Sequence, residues 1–285
     1  MGKSHFLFMS AHLDDAIISC GDYMCWLVQE GNAVTIATVF TAENSHPSLS
    51  WLAKILHKKF NIGSQVMYVR RREDLSAANS LGADCIHLNV EECIYRRKPD
   101  GTPHYQKLEE LFRVDLKSEL SVIREVTTRM IAQLDLDKYA QVYIPLGIGR
   151  HVDHCITRRA AEVWLDSVHG TTSSKLAYYE DLPYKSYGFD QDWRADLACG
   201  FSVNRIRLSK NHLKAKIRAI ELYKSQQRLL WSSRFTMFKQ MLGASLGFDQ
   251  HQPCYGFNLY TSYNPVSLTS KESGTINDNS PQFFK

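Results

Sequence analysis

The 285-residue chain has no apolar run long enough to span a bilayer, which argues against a membrane helix. It also lacks an uninterrupted signal-type core: Lys3 is followed by a segment broken by Ser10, His12, Asp14 and Asp15, so a cytoplasmic location is expected. There is no CxxC pair. The seven cysteines are odd in number and scattered, and read as reduced, buried small hydrophobes rather than a disulfide framework. Charge of one sign is not in excess. A net charge of +4 with histidines neutral does not call for nucleic acid, and none is expected as a partner. No internal repeat is visible. What remains is an apolar fraction of 44% and a charged fraction of 22%, enough for a sizeable core in one large α/β domain or two small ones.

Strand-like and helix-like segments alternate. Phe6–Ala11 and Ala33–Phe40 are short apolar runs that read as buried strands. Between them, Ala16–Glu30 reads as a helix stopped by Gly31. Gln65–Arg70 reads as a third strand, Glu73–Leu81 as a helix closed by Gly82, and Cys85–Asn89 as a fourth strand. Leu116, Leu120, Ile123, Met130 and Leu134 mark one face of an amphipathic helix. Val142–Leu146 reads as a fifth strand, Cys155–His169 as a helix ending at Gly170, and Lys175–Tyr179 as a sixth strand. The expected fold class is α/β: Rossmann-like, a mostly parallel sheet with helices on both faces, plus a small C-terminal α+β extension. That extension is expected to hold a long helix around Lys210–Leu230 and a strand or hairpin near Cys254–Tyr260. Thr41–Gly63 reads as a short amphipathic helix near the mouth of the site. A single domain is expected over residues 1–265, with a core over 1–189, an extension over 190–265 and a flexible polar tail over 266–285.

Two of the strand-like runs end in histidine and aspartate. The first stops at Ala11-His12-Leu13-Asp14-Asp15, and the run to Leu146 stops just before His151-Val152-Asp153-His154. In parallel sheets ligands gather beyond the carboxyl ends of the strands, so both motifs are expected at one rim. Two histidines and an aspartate supply two nitrogens and one oxygen. With an open fourth position that is the donor set of a catalytic zinc, whose water has its pKa lowered to roughly 7. Each residue also has a plainer reading. Asp14 and Asp15 could cap the following helix, and His151 and His154 could be a solvated helix start. Arg70, Arg71 and Arg72 could be a solvated basic helix entry. Tyr178, Tyr179 and Tyr184 read as packing near the rim.

With their flanking segments, the motifs resemble the PIG-L/LmbE-like family of metal-dependent N-deacetylases acting on glucosamine-containing compounds. The resemblance also takes in Arg70-Arg-Arg-Glu73-Asp-Leu-Ser-Ala-Ala-Asn-Ser-Leu-Gly82, Tyr178-Tyr-Glu-Asp-Leu-Pro-Tyr184 and Lys216-Ile-Arg-Ala-Ile-Glu-Leu-Tyr-Lys-Ser-Gln226. It implies that His12, Asp15 and His154 bind Zn²⁺, with Fe²⁺ or another divalent metal as the alternative. It implies Asp14 as general base and His151 as stabiliser of the oxyanion. Asp153 would orient or charge-tune a neighbouring histidine, and Arg70 would contact substrate. The implied partner is a small N-acetylated molecule, and a homo-oligomer is left open.

The chain departs from the family pattern in three places. Leu13 and Ala16 follow a His-Leu-Asp-Asp-Ala subset rather than the commoner proline and glutamate. Gly149 stands where some members carry a tyrosine, and Thr41–Gly63 is unlike other members. These differences keep a second substrate reading open, a non-sugar N-acyl metabolite or peptide-type intermediate. The same donors would suit an Fe(II) oxygenase, but such sites sit on all-β scaffolds and this pattern is α/β.

Overall fold

The computed structural model describes residues 2–61, 65–113, 115–169, 174–184, 201–249 and 252–262. Its strands are β1 (His5–Ser10), β2 (Ala33–Phe40), β3 (Asp84–Val90), β4 (Gln141–Pro145), β5 (Leu176–Tyr179), β6 (Phe201–Leu208), β7 (Leu246–Asp249) and β8 (Gln252–Ser262). Its α-helices are α1 (Asp15–Gln29), α2 (Trp51–Phe60), α3 (Val66–Ser80), α4 (Leu120–Gln133) and α5 (Val152–His169). After them come α6 (Lys210–Ile220), α7 (Lys224–Leu230) and α8 (Arg234–Ser245).

The strands form one sheet in the order β3-β2-β1-β4-β5-β8-β6, with β7 on β8. The first five are parallel, and β8 joins β5 and β6 antiparallel. The sheet is Rossmann-like and mostly parallel, as the alternation predicts. The C-terminal segment does not form a separate layer; it extends the same sheet.

Strand alternation sends side chains to two cores. Leu7, Met9, Val142 and Ile144 face the side covered by α2, α4 and α5, while Phe8, Ile36 and Tyr143 face the side packed by α1 and α6. Lys216 of α6 is 1% exposed and donates through Nζ to the Ser19 carbonyl at 2.9 Å, pinning α6 to α1. Gly31 and Gly82 adopt φ of +84° and +74° just past α1 and α3, the left-handed stop read from the sequence.

Two assignments are corrected. Gln65–Arg70 is not a strand; Val66 to Arg70 opens α3. The buried positions Val66, Met67, Arg70, Asp74, Ala77 and Ala78 make one helical stripe, a period that a six-residue window cannot show. Lys210–Leu230 is two helices, not one. No glycine or proline marks the break at Glu221–Tyr223; it sets the buried Tyr223 hydroxyl on Asp74 at 2.6 Å. Helix α8 and strands β6 and β7 are elements that the sequence pattern does not predict. The helix expected in Thr41–Gly63 is α2, capped by Ser50, whose Oγ accepts from Ala53 N at 3.0 Å. The expected stop at Gly170 and the tail over 266–285 lie outside the described residues. Cys20, Cys25, Cys85, Cys93 and Cys155 are unbridged thiols, and none among the described helices is long and apolar enough to cross a membrane.

Candidate metal and catalytic centre

The two sequence motifs meet because β1 and β4 are neighbours, pairing Leu7 with Val142 and Phe8 with Tyr143. From β1 the chain passes to β2 on one side, and β4 lies on the other. This is the point where the order of strands reverses, and the crevice beyond it is the usual ligand site of such sheets. His12, Asp14 and Asp15 leave the carboxyl end of β1 and enter α1. On the other side a tight loop with positive φ at Gly147, Gly149 and Arg150 delivers His151, Asp153 and His154 at the start of α5.

Asp15 Oδ2 is the hub. It accepts from His12 N at 2.8 Å, lies 3.1 Å from His12 Nδ1 and lies 3.1 Å from His154 Nε2. The His154 contact is close but not aligned as a hydrogen bond, and Nε2 is a buried nitrogen without one. The far side of each imidazole is held. His154 Nδ1 meets Asp181 Oδ1 at 2.6 Å, and Asp181 Oδ2 accepts from Gly147 N and Ile148 N at 2.8 and 2.9 Å. His12 Nε2 meets Asp153 Oδ2 at 3.0 Å. With those outer nitrogens as donors, a neutral His12 and a neutral His154 both turn a lone pair toward the Asp15 carboxylate. Lone pairs against an anion require a positive charge between them, a proton in the metal-free chain or one ion shared by both rings. Donors bound at 2.0–2.1 Å around one tetrahedral ion stand roughly 3.3 Å apart, close to the spacing observed. The residues therefore fit a divalent cation. His151 offers another nitrogen, grouped with His12 and His154 within 4.8 Å.

Electrostatics agree with a cation-seeking site. Asp14, Asp15, Glu92, Asp153 and Asp181 are buried here, against the buried guanidiniums of Arg70 and Arg96. Burial opposes the charging of His12 and His154, but Asp15 and their outer carboxylates outweigh it. His12 is raised well above its ordinary value and His154 to about 9. Burial likewise opposes ionisation of Asp15, yet His154 and His12 hold it well below the carboxylate range. Asp14 goes the other way: burial, then the Asp15 charge, push its carboxyl well up. His151 is held neutral by burial and by His12. Its Nδ1 accepts from Asp153 N at 3.3 Å, which leaves the ring proton on Nε2.

The capping alternative for Asp14 is not what the structure shows, because its side chain makes no capping hydrogen bond; Ser10 Oγ accepts from Ala16 N instead, at 3.0 Å. Asp14 lines a cleft that opens to solvent, together with His12, Asp15, His151, Arg70 and Tyr184. Arg70 is 3% exposed and bonds Glu92 at 2.9 Å through Nη1, with its guanidinium over the Phe60 ring. It is not a solvated helix entry. Tyr184 lies 5.2 Å from the His154 ring, and its ring packs where a side chain on Gly149 would stand. A tyrosine thus enters the cleft from position 184 although position 149 has none.

Reading the sequence missed Glu92, Arg96 and Asp181. Asp181 had a usable signal, since it follows the apolar run of β5 just as His12 follows β1. Glu92 and Arg96 sit in an irregular segment after β3 with nothing to mark them. Arg96 Nη1 bonds Asp153 Oδ1 at 2.8 Å, and its Nη2 lies 3.7 Å from Glu119. All three groups are at least nine-tenths buried. Arg96→Met keeps bulk but takes the guanidinium from two buried carboxylates, leaving Asp153 to His12 and Glu119 to His104, so a loss of about 3–5 kcal/mol in denaturant unfolding is expected. A loss under about 1 kcal/mol would mean that the pairing carries little.

A parallel sheet covered on both faces, with an acid-rich imidazole cluster at its switch point, defines the class. The family model for GlcNAc-PI de-N-acetylase (PIG-L) matches residues 7–165, more than half of the chain, and the chain belongs to that family. Over 198 residues it is 25% identical to 2'-N-acetylparomamine deacetylase of Niallia circulans, covering 64% of this chain and 68% of that one. Among solved structures it is similar to the zinc-inhibited form of teicoplanin deacetylase, with 26% identity, a TM-score of 0.75, and 90% and 97% of the two chains covered. A deacetylase of the teicoplanin biosynthesis pathway gives 25% identity, a TM-score of 0.77 and the same coverage.

Proposed function

We propose that this protein is a divalent-metal-dependent hydrolase that removes the N-acetyl group from a glucosamine-containing or related small molecule. The observation that carries the reading is the convergence of His12 Nδ1 and His154 Nε2 on Asp15 Oδ2, each at 3.1 Å, beside Asp14 on an open cleft. His12, Asp15 and His154 would hold the ion, Zn²⁺ by donor type and Fe²⁺ as the alternative. When bound, the ion polarises the amide carbonyl and makes a water acidic enough to attack near neutral pH. Asp14 takes the proton of the attacking water. Beside a bound cation the Asp14 carboxyl would stay ionised despite its burial. The Nε2–H of His151 faces the charge that develops on the carbonyl oxygen. The proton then passes to the departing amine as the C–N bond breaks, leaving acetate and a free amine. Asp153 orients His12 and is itself anchored by Arg96 and by the Cys93 amide at 3.0 Å. Arg70, fixed by Glu92, presents the remaining edge of its guanidinium to the substrate.

Because the imidazole pKa values are raised in the metal-free chain, uptake of the ion displaces protons and strengthens as pH rises toward 9. Asp181 acts through His154. Asp181→Ala is expected to weaken metal affinity about 10–100-fold in equilibrium dialysis. An unchanged affinity would remove Asp181 from the site.

One observation favours a substrate with an apolar body next to its acetamido group. Away from the ionisable cluster, the described wall of the cleft is Leu56, Phe60, Ile94, Leu111, Phe112 and Leu229 with their apolar neighbours, and Gln226. A free hexosamine would leave hydroxyls without partners there. The test is acetate release, with and without chelator, from N-acetylglucosamine, its aryl and alkyl glycosides, and non-sugar N-acetyl amines. Chelator-sensitive release with lower KM for the apolar conjugates is expected. Release that persists in chelator would overturn the metal mechanism.

A further inference from the structure

Outside the cleft, a second set of metal-ligating side chains stands behind α3. Cys85 and His87 are two apart on β3, so they share the face that α3 packs against, and Asp74 comes from α3. The three donor atoms form a small triangle. Cys85 Sγ lies 3.4 Å from Asp74 Oδ2 and 3.4 Å from His87 Nε2, and His87 Nε2 lies 3.0 Å from Asp74 Oδ2. We infer that Asp74, Cys85 and His87 form a second metal site, distinct from the catalytic cluster, that takes a zinc-class divalent ion through one thiolate, one imidazole and one carboxylate.

The geometry supports this in three ways. A tetrahedral zinc with sulfur at about 2.3 Å and nitrogen or oxygen at about 2.0 Å sets its donors roughly 3.3–3.6 Å apart. The observed edges need only a few tenths of an ångström of expansion. Second, the carboxylate is oriented from behind, as metal-bound carboxylates are. Asp74 Oδ1 accepts from the Tyr223 hydroxyl at 2.6 Å, and Oδ2 accepts from Thr38 Oγ1 at 3.1 Å. Thr38 is the residue of β2 in register with His87, so the backing is rigid. Third, the cluster is accessible on the soft-donor side. Asp74 is 1% exposed, whereas Cys85 and His87 are partly exposed and β3 is an edge strand of the sheet. An ion can enter there, and a water can complete its shell.

In the metal-free chain the Cys85 thiol and the His87 ring share Asp74 Oδ2 through protons. Burial, and then the Asp74 charge, keep the thiol protonated. Binding replaces both protons with the ion: the thiol proton leaves to solvent, and the proton on His87 Nε2 leaves that nitrogen so that the ring carries its proton on Nδ1, with no change of oxidation state.

The test uses the full chain, stripped of metal and titrated with Co²⁺, which reports thiolate ligation by a near-ultraviolet charge-transfer band. Zn²⁺ stoichiometry by equilibrium dialysis is measured in parallel. The expected result is a thiolate band and two Zn²⁺ per wild-type chain. Cys85→Ser should abolish the band and lose one Zn²⁺. His87→Gln should weaken that equivalent at least tenfold. Cys93→Ser, which removes the thiol next to the catalytic cluster, should keep the band. His154→Ala tests the catalytic reading separately: it loses the other equivalent and keeps the band. No thiolate band in the wild type, or a band lost in Cys93→Ser and kept in Cys85→Ser, would overturn the inference. Should Cys85→Ser fold poorly, the His87→Gln titration decides alone, and an unchanged band and affinity there would also overturn it.

Discussion

Asp14→Asn is expected to lower kcat for acetate release by about 10²–10⁴-fold, the range for a positioned general base, and to leave metal content unchanged. The amide is nearly isosteric with the carboxylate, so the cleft keeps its shape. The wild-type side chain makes no capping hydrogen bond, so the start of α1 loses nothing. Burial, and the Asp15 charge beside it, disfavour the ionised Asp14 carboxyl, so a neutral amide there adds no desolvation penalty. The thermal midpoint of the variant is therefore expected to be no lower than that of the wild type. The pairing of a large activity loss with undiminished stability and full metal content separates a catalytic from a structural role. A variant that hydrolyses at the wild-type rate would show that Asp14 is not the base.

His154→Ala removes a buried nitrogen that stands 3.1 Å from Asp15 Oδ2 without a hydrogen bond of its own. Loss of one of three protein ligands is expected to take metal occupancy and turnover of the cleft site to background, matching the effect of chelator on the wild type. His151→Ala should differ: metal is retained and kcat falls, because that ring is read as a donor to the developing oxyanion. The contrast matters because His151 offers a nitrogen close to His12 and His154, so an alternative ligand set is geometrically available. Metal dialysis on the two variants discriminates between them. Normal occupancy in His154→Ala with loss in His151→Ala would transfer the ligand role to His151.

Much of the site was legible before any coordinates. His12, Asp14, Asp15, His151, Asp153 and His154 were read from strand ends, and the structure brings all six together. Strand ends are local features: an apolar run that stops at polar residues needs no tertiary knowledge to be seen. Asp181 follows the same rule and could have been added to the list. Arg70, expected as a substrate contact, lines the cleft, but the strand in which it was placed is the start of α3. The helical period that corrects it becomes visible only over the full length of Val66–Ser80.

Glu92, Arg96 and Tyr184 belong to a different case. Their importance comes from what they touch: Arg70 and Asp153 for the first two, and the ring of His154 for the third. No spacing along the chain encodes those contacts. The split of Lys210–Leu230 into α6 and α7 has the same cause, since the break answers to Asp74 and Glu73 on another helix.

By itself, then, the amino-acid order determined the alternation of strand and helix, the family, and the residues proposed to bind an ion and move a proton. Hydrophobic period and short motifs are properties of neighbours in the chain. Only the tertiary structure decided which lone pairs face one another, that Arg70 is already engaged by Glu92, that the cleft wall is apolar, and that Asp74, Cys85 and His87 share a corner behind α3. Distances of about 3 Å between residues far apart in sequence are set by how the sheet is ordered and how the helices pack on it, and no local pattern reports them.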